Sequence, residues 1–423
     1  MAERIGAVLS GGGARGAYEA GAWSVLMPAL EQLSQRPTLF VGTSVGAINA
    51  AFLAGSHHLP VEDAVAGLLA RWRQVTKGRV MRPILRRQLP LNVLRYAGEL
   101  LSLPGVRLPS LLDAAPLERN LDRWVDWPAL HRNVDSGRVL AAAAVATAAR
   151  TGRSVVFVEG SGEQPLHRSH VVEYVPARLE PAHVRASAAI PILFPPVRVE
   201  HPAEVRGWYF DGGTRLNTPI KPALDLGAER LVVVGTDSVA EPSAVPGRHD
   251  SGPPDFGDGA LHVLQGALVD PLIEDIRMLG NVNMFFADDQ AVGAQRYREA
   301  RGKRPYRSVP YVFVSPSRPG AIGELASEVF RARYRGLRPR SPDFPLLNRL
   351  LGGDSPTHGE LLSYLFFDPD FIEALIALGR DDATRWLQAP PGPQEPWQVG
   401  PLDAFIRPGD AGTAPPATSG TGP

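Results

Sequence analysis

Three short patterns in this chain bring together residue types that perform acyl-transfer chemistry. Gly42-Thr43-Ser44-Val45-Gly46 fits G-x-S-x-G, a sharp strand-to-helix turn that holds a serine hydroxyl clear of the backbone. Glycines flank the serine because such a turn leaves no room for side chains, and the helix N-terminus beyond it favours developing negative charge. Gly11-Gly12-Gly13-Ala14-Arg15-Gly16 presents successive backbone N–H groups, a cradle suited to an oxyanion or a phosphate. Asp211-Gly212-Gly213 follows Trp208-Tyr209-Phe210 and supplies a carboxylate where the chain can turn close to another element. Each pattern also has a plainer reading: an ordinary turn for the serine, a tight turn at a sheet edge for the glycine run, and an Asx-type turn for the aspartate.

Other chemistries fit less well. The glycine run lacks the Lys-Ser/Thr of a phosphate-binding P-loop. It does match the spacing G-x-G-x-x-G, but the next strand ends in Gly42-Thr43-Ser44 and not in the acidic residue that a dinucleotide ribose needs. A Ser-His-Asp triad needs a histidine, and the ten in the chain are His57, His58, His131, His167, His170, His183, His201, His249, His262 and His358. None follows Asp211 at a recognisable strand end, so Asp211 itself is the candidate base for Ser44. No H-E-x-x-H is present and there is no cysteine, so neither a metal nor any other cofactor is expected.

The elements that must position these residues can be read from periodicity. Ile5, Ala7, Val8 and Leu9 form a short apolar run broken by Ser10 and the glycines, and residues 16–33 then carry apolar side chains at helical spacing. Pro28 is expected to kink or end that helix. Residues 38–41 read as a second strand and 47–53 as a helix, so strand, glycine turn and helix occur twice, the mark of an α/β fold with a largely parallel sheet. Further strands are expected at 138–147 and 153–158, paired around Thr151-Gly152, and also at 197–200, 207–210 and 311–314. The Val-rich strand 230–236 is expected near the sheet centre. Helices are expected at 67–75, 182–189, 219–226, 260–276 and 371–387. Residues 240–259 and the Gly/Pro-rich stretch 407–423 read as loop and disordered tail.

Composition narrows the class. The 44 Lys+Arg residues balance 44 Asp+Glu, which argues against a strongly cationic nucleic-acid binder. A hydrophobic content of 44% with 21% charged residues belongs to a globular chain. No Sec signal or membrane-spanning run is read, and a cytoplasmic location, with or without peripheral membrane association, is the expectation. All but three of the basic residues are arginine. Arg79, Arg82, Arg86, Arg87 and Arg95 alternate with apolar residues, a pattern that fits either a lid meeting anionic lipid or a surface segment packed on the core.

With these residues in view, the chain resembles the patatin-like phospholipases. The likeness is carried by the glycine run, the Gly42 to Gly46 turn, Ala186-Ser187-Ala188-Ala189-Ile190-Pro191 leading to Phe194-Pro195-Pro196, Asp211-Gly212-Gly213, and Leu361-Leu362-Ser363-Tyr364-Leu365-Phe366-Phe367-Asp368, in that order. The resemblance implies a three-layer α/β/α sandwich with a mostly parallel central sheet and helical C-terminal additions. It also implies a Ser44–Asp211 dyad, an oxyanion hole formed by Gly11, Gly12 and Gly13 with support from Arg15, and structural turns at Gly42, Gly46, Gly212 and Gly213. The implied activity is hydrolysis of phospholipid or other acyl-ester lipids through an acyl-Ser44 intermediate. Residues 1–388 would form the catalytic part, with 76–137 as a lid or interfacial insert in which Arg82, Arg86 and Arg87 meet the membrane. Residues 240–388 would be mainly helical, and 389–423 loop and tail. Two alternatives stand beside this reading: a non-catalytic relative that binds lipid or a partner, and a Ser-His-Asp esterase.

Overall fold

A computed structural model describes residues 3–80, 82–83, 112–161, 172–191, 193–239, 276, 278–283, 308–334, 356–389, 392, 394–400 and 402. Arg86 and Arg87, the expected loop at 240–259, nearly all of the expected helix at 260–276 and the tail lie outside the described residues, as does the side chain of Arg82.

Nine strands form the central sheet. They are β1 (Ile5–Leu9), β2 (Leu39–Thr43), β3 (Ala141–Ala148), β4 (Ser154–Gly160), β5 (Val172–Pro176), β6 (Val197–Val199), β7 (Gly207–Asp211), β8 (Arg230–Val234) and β9 (Tyr311–Val314). The main order is β9-β8-β1-β2-β3-β4-β5. The first five of these run parallel, β4 and β5 run the other way, and β7 is antiparallel to β3 with β6 antiparallel to β7. This is the expected mostly parallel α/β sheet. The Val-rich strand β8 is interior, but one place from the edge and not at the centre. The centre falls to β2, which carries the serine turn.

The helices that matter for the site are α1 (Gly16–Gln32), α2 (Val45–Gly55), α3 (Val61–Arg73), α4 (Ala115–Trp124), α5 (Trp127–Asp135), α6 (Pro181–Ser187), α7 (Ile220–Asp225), α8 (Ala321–Tyr334), α9 (Pro356–Leu365) and α10 (Pro369–Gln388). Period-two alternation divides the sheet's side chains between two faces. Ile5, Ala7, Leu9, Phe40, Val232 and Val312 join α1, α2, α3 and α10 in one apolar cluster. Val8, Val41, Ala143, Val233 and Phe313 join α7 in the other. Helices thus cover both faces, with the heavier layer on the side of α1.

Two expectations are modified. Pro28 does not end α1, which continues to Gln32 as one helix. The face around it is buried through Trp23, Leu26, Met27 and Leu30, and that packing outweighs the cost of a missing backbone donor. Helix α3 begins at Val61, six residues before Gly67, because Glu62 and Asp63 favour its N-terminus and Val61, Ala64 and Val65 already face the core.

Candidate active site

Ser44 sits between the end of β2 and the start of α2, with φ 54° and ψ −125°. For a residue with a side chain this left-handed backbone is strained, and the surrounding structure has to impose it. The imposition is visible at the flanking glycines. A Cβ on Gly42 would lie 2.2 Å from the Gly46 carbonyl oxygen, and one on Gly46 would lie 2.3 Å from the Leu9 carbonyl oxygen. The turn is therefore pressed against itself and against the end of β1. The Ser44 N–H donates to Ser187 Oγ at 2.8 Å, and Ser187 Oγ–H donates to the Val145 carbonyl at 2.5 Å. Ser187, at the end of α6, thus ties the turn to β3.

Sheet register brings the aspartate to the serine. One edge of β3 is taken by β4 from Ala141 to Thr147. Along the other edge β2 runs as far as the Thr43–Val145 pair, and β7 takes over at Asp211 opposite Ala146. The C-terminal ends of β2 and β7 therefore meet head to head on one neighbour. Ser44 Oγ–H donates to Asp211 Oδ2 at 2.6 Å, and the Gly213 N–H donates to Asp211 Oδ1 at 2.7 Å. Both residues are almost wholly shielded, Ser44 at 5% and Asp211 at 1% exposure. Burial pushes the Asp211 carboxyl up to about 7, against the lowering effect of its bonds from Ser44 and Gly213. Gly212 is held to β3 as well, since a Cβ there would lie 2.2 Å from the Val145 carbonyl oxygen.

The glycine run lies on the other side of Ser44. A Cβ on Gly11 would lie 3.2 Å from Ser44 Cβ, so the loop backbone borders the serine side chain. The Gly11 N–H, however, donates to the Asn217 carbonyl at 3.1 Å and is already committed. Gly11 therefore contributes close approach in place of the donor expected from sequence, which leaves Gly12 and Gly13 as the donor candidates. Gly13 has φ 58° and is seated so tightly that a Cβ would fall 2.2 Å from the Tyr364 carbonyl oxygen of α9.

Arg15 does not point at the dyad's hydrogen bonds. Its guanidinium, 1% exposed, donates to Ser363 Oγ at 2.7 Å, to Asp237 Oδ1 at 2.8 Å and to the Glu360 carbonyl at 2.9 Å. It also pairs with the Glu360 carboxylate and stacks over the Tyr364 ring at 4.1 Å. Its action on the glycine loop is that of an anchor to α9 and to the turn after β8. Sequence reasoning did not find Asn217, Ser187 as a support of Ser44, or Asp237 and Glu360 as partners of Arg15, because each acts through a contact far away in the chain.

Among the described residues no histidine hydrogen-bonds Ser44 or Asp211. His57 bonds the Pro37 carbonyl, His58 meets Asn133, His131 pairs with Glu159, and His183 bonds the His201 carbonyl. No group of three or more His, Asp or Glu side chains suited to a metal ion occurs among the described residues, and no described helix is long and apolar enough to cross a membrane. Arg82 pairs through its backbone with Asp113 in a two-residue antiparallel bridge.

Comparison with known proteins adds a family. Among solved structures, VipD from Legionella pneumophila is similar at a TM-score of 0.33 and 14% identity, over 89% of this chain and 67% of that one. No curated protein sequence matches. A family model described as patatin-like phospholipase matches residues 7–224, the stretch that holds the glycine run, the Ser44 turn and Asp211. That match spans just over half the chain, and the chain belongs to the patatin-like phospholipases, a membership that implies lipid acyl hydrolase activity.

Proposed function

We propose that this protein hydrolyses lipid acyl esters with Ser44 as nucleophile and Asp211 as general base, through an acyl-Ser44 intermediate. The observation that carries the reading is the 2.6 Å hydrogen bond from Ser44 Oγ to Asp211 Oδ2 in a buried site. A carboxylate of ordinary basicity is a poor partner for a serine hydroxyl. Burial that raises Asp211 to about 7 narrows the gap while leaving a large ionised fraction at neutral pH. Ser44 Oγ attacks the ester carbonyl as its proton passes to Asp211, and the tetrahedral oxyanion forms against the glycine loop. Gly12 and Gly13 offer the N–H donors there, and Arg15 holds them in place from behind. Collapse expels the alcohol, which takes the proton from Asp211. Water, deprotonated by Asp211, then releases the acid and restores Ser44.

Hydrolysis of nitrophenyl esters and phospholipid vesicles by wild type, Ser44→Ala and Asp211→Asn tests this reading. Ser44→Ala should fall to background, and Asp211→Asn should lose about 10²–10⁴-fold in kcat/KM. Wild-type activity retained by either variant would overturn the dyad.

A further inference from the structure

A cavity of about 370 Å³ opens beside the dyad, between α4 and the chain that follows α6. Ala115 and Leu117 line one side, Ala188 and Ala189 the other, with Phe194 and the 54% exposed Trp208 completing it. The wall at Ala188 and Ala189 belongs to the same short stretch that supports the site. Ser187 accepts the Ser44 N–H, and the Ala189 carbonyl accepts the Asp211 N–H at 2.9 Å. The cavity is thus separated from the Ser44–Asp211 pair by a single layer of backbone.

Its lining decides what it can hold. Apart from three charged residues the lining is apolar or small, and each of those three is already paired. Arg185 of α6 pairs with Glu118 of α4, joining the two walls, and Arg198 Nε lies 3.1 Å from Glu200 Oε1. A phosphate headgroup needs a cation that is not already engaged, whereas an alkyl chain gains from every apolar contact. The volume lies near the lower end of ligand-binding cavities, which range over about 300–1,000 Å³, enough for one chain and not for two. We propose that this cavity receives the acyl chain of the ester, and that Ala115 and Leu117 set the length it accepts. The inference rests on the reading of Ser44 as nucleophile and adds the substrate class: single acyl chains of medium length.

The test compares kcat/KM for nitrophenyl acetate, octanoate and palmitate. Each buried methylene is worth about fourfold, so octanoate should exceed acetate by roughly 100-fold or more, and palmitate should gain nothing further. Ala115→Trp and Leu117→Trp should each lower the octanoate-to-acetate ratio about tenfold or more, with circular dichroism confirming the fold. Should both fail to fold, Trp208→Ala at an exposed position should lower the same ratio severalfold. A ratio within twofold of wild type in a folded variant overturns the proposal. If wild type hydrolyses no ester, the hydrolase reading fails and calorimetric binding of octanoate decides the cavity separately. Binding weakened about tenfold by Ala115→Trp supports it. No binding, or displacement of octanoate by glycerol phosphate, overturns it.

Discussion

Asp211 and Glu19 are two buried carboxyls with opposite relations to the chemistry. Asp211 must be ionised to act as a base, so kcat/KM should rise with pH through an inflection at about 7 and level off above it. A flat profile between pH 5 and 9 would contradict its role. The same shift has a consequence for stability. With its carboxyl raised in the folded state, the native protein loses stability as pH climbs from the ordinary value of 3.8 towards about 7, and stays at the lower level beyond. Asp211→Asn should therefore melt about 2–5 °C higher than wild type at pH 8, with the difference vanishing near pH 4. Glu19 lies wholly buried under the glycine loop, and burial raises its carboxyl well above 4.5 although Asn49 Nδ2 donates to Oε2 at 2.8 Å. It touches neither Ser44 nor Asp211. Glu19→Gln should keep the bond from Asn49, raise the melting temperature at neutral pH and lose that advantage below pH 4.5. A lower melting temperature at pH 8 would show that the carboxyl is ionised and paired.

Among the elements, the glycine loop shows how local flexibility is disciplined from a distance. Three successive glycines have wide conformational freedom, yet Arg15, seated on Asp237, Glu360 and Ser363, fixes the loop to α9. Lysine cannot reproduce a planar fork that meets several acceptors at once. Arg15→Lys should lower kcat about tenfold with a smaller change in KM, because the loop is needed for the oxyanion and not for ground-state binding. Equal losses in kcat and in thermal stability alone, with the remaining folded fraction fully active, would make Arg15 a purely structural residue. The crossing of α1 and α10 is set by close approach. A Cβ on Gly379 would lie 2.1 Å from the Tyr18 carbonyl oxygen, so Gly379→Ala should destabilise by about 1–3 kcal/mol in denaturant melts. Gly78→Ala, with nothing within 4 Å, serves as the control and should be neutral or mildly stabilising.

At the scale of the whole molecule, the family match ends at residue 224 but the structure that holds the site does not. Strands β8 and β9 extend the sheet beside β1, and α10 lies in the same apolar cluster as α1. Phe371, Ile372, Leu375 and Ile376 are almost fully buried there. At about 1.5–3 kcal/mol each their burial is together comparable to the entire stability of a domain, about 5–15 kcal/mol. A chain ended at residue 368 should therefore give no cooperative melt. A folded, active truncation would show that α10 is dispensable.

What the sequence determined by itself is local in character. The glycine turn at Ser44, the first strands, the paired strands around Thr151-Gly152 and the helix ending near Leu387 depend on neighbours a few residues away, where periodicity and turn chemistry decide. The order of the motifs was likewise legible, and with it the family. Tertiary structure alone decided how these pieces meet. The handover from β2 to β7 along β3 depends on strand register, which no local pattern encodes, and it alone brings Asp211 within 2.6 Å of Ser44. Burial, a property of the assembled molecule, decided the proton affinity of Asp211. The commitment of the Gly11 amide to Asn217, the hold of Ser187 on Ser44 and the grip of α9 on Arg15 join residues roughly 140 to 350 positions apart. At such separations only the folded chain selects the partner, because loop closure costs little more for one distant residue than for another and packing makes the choice.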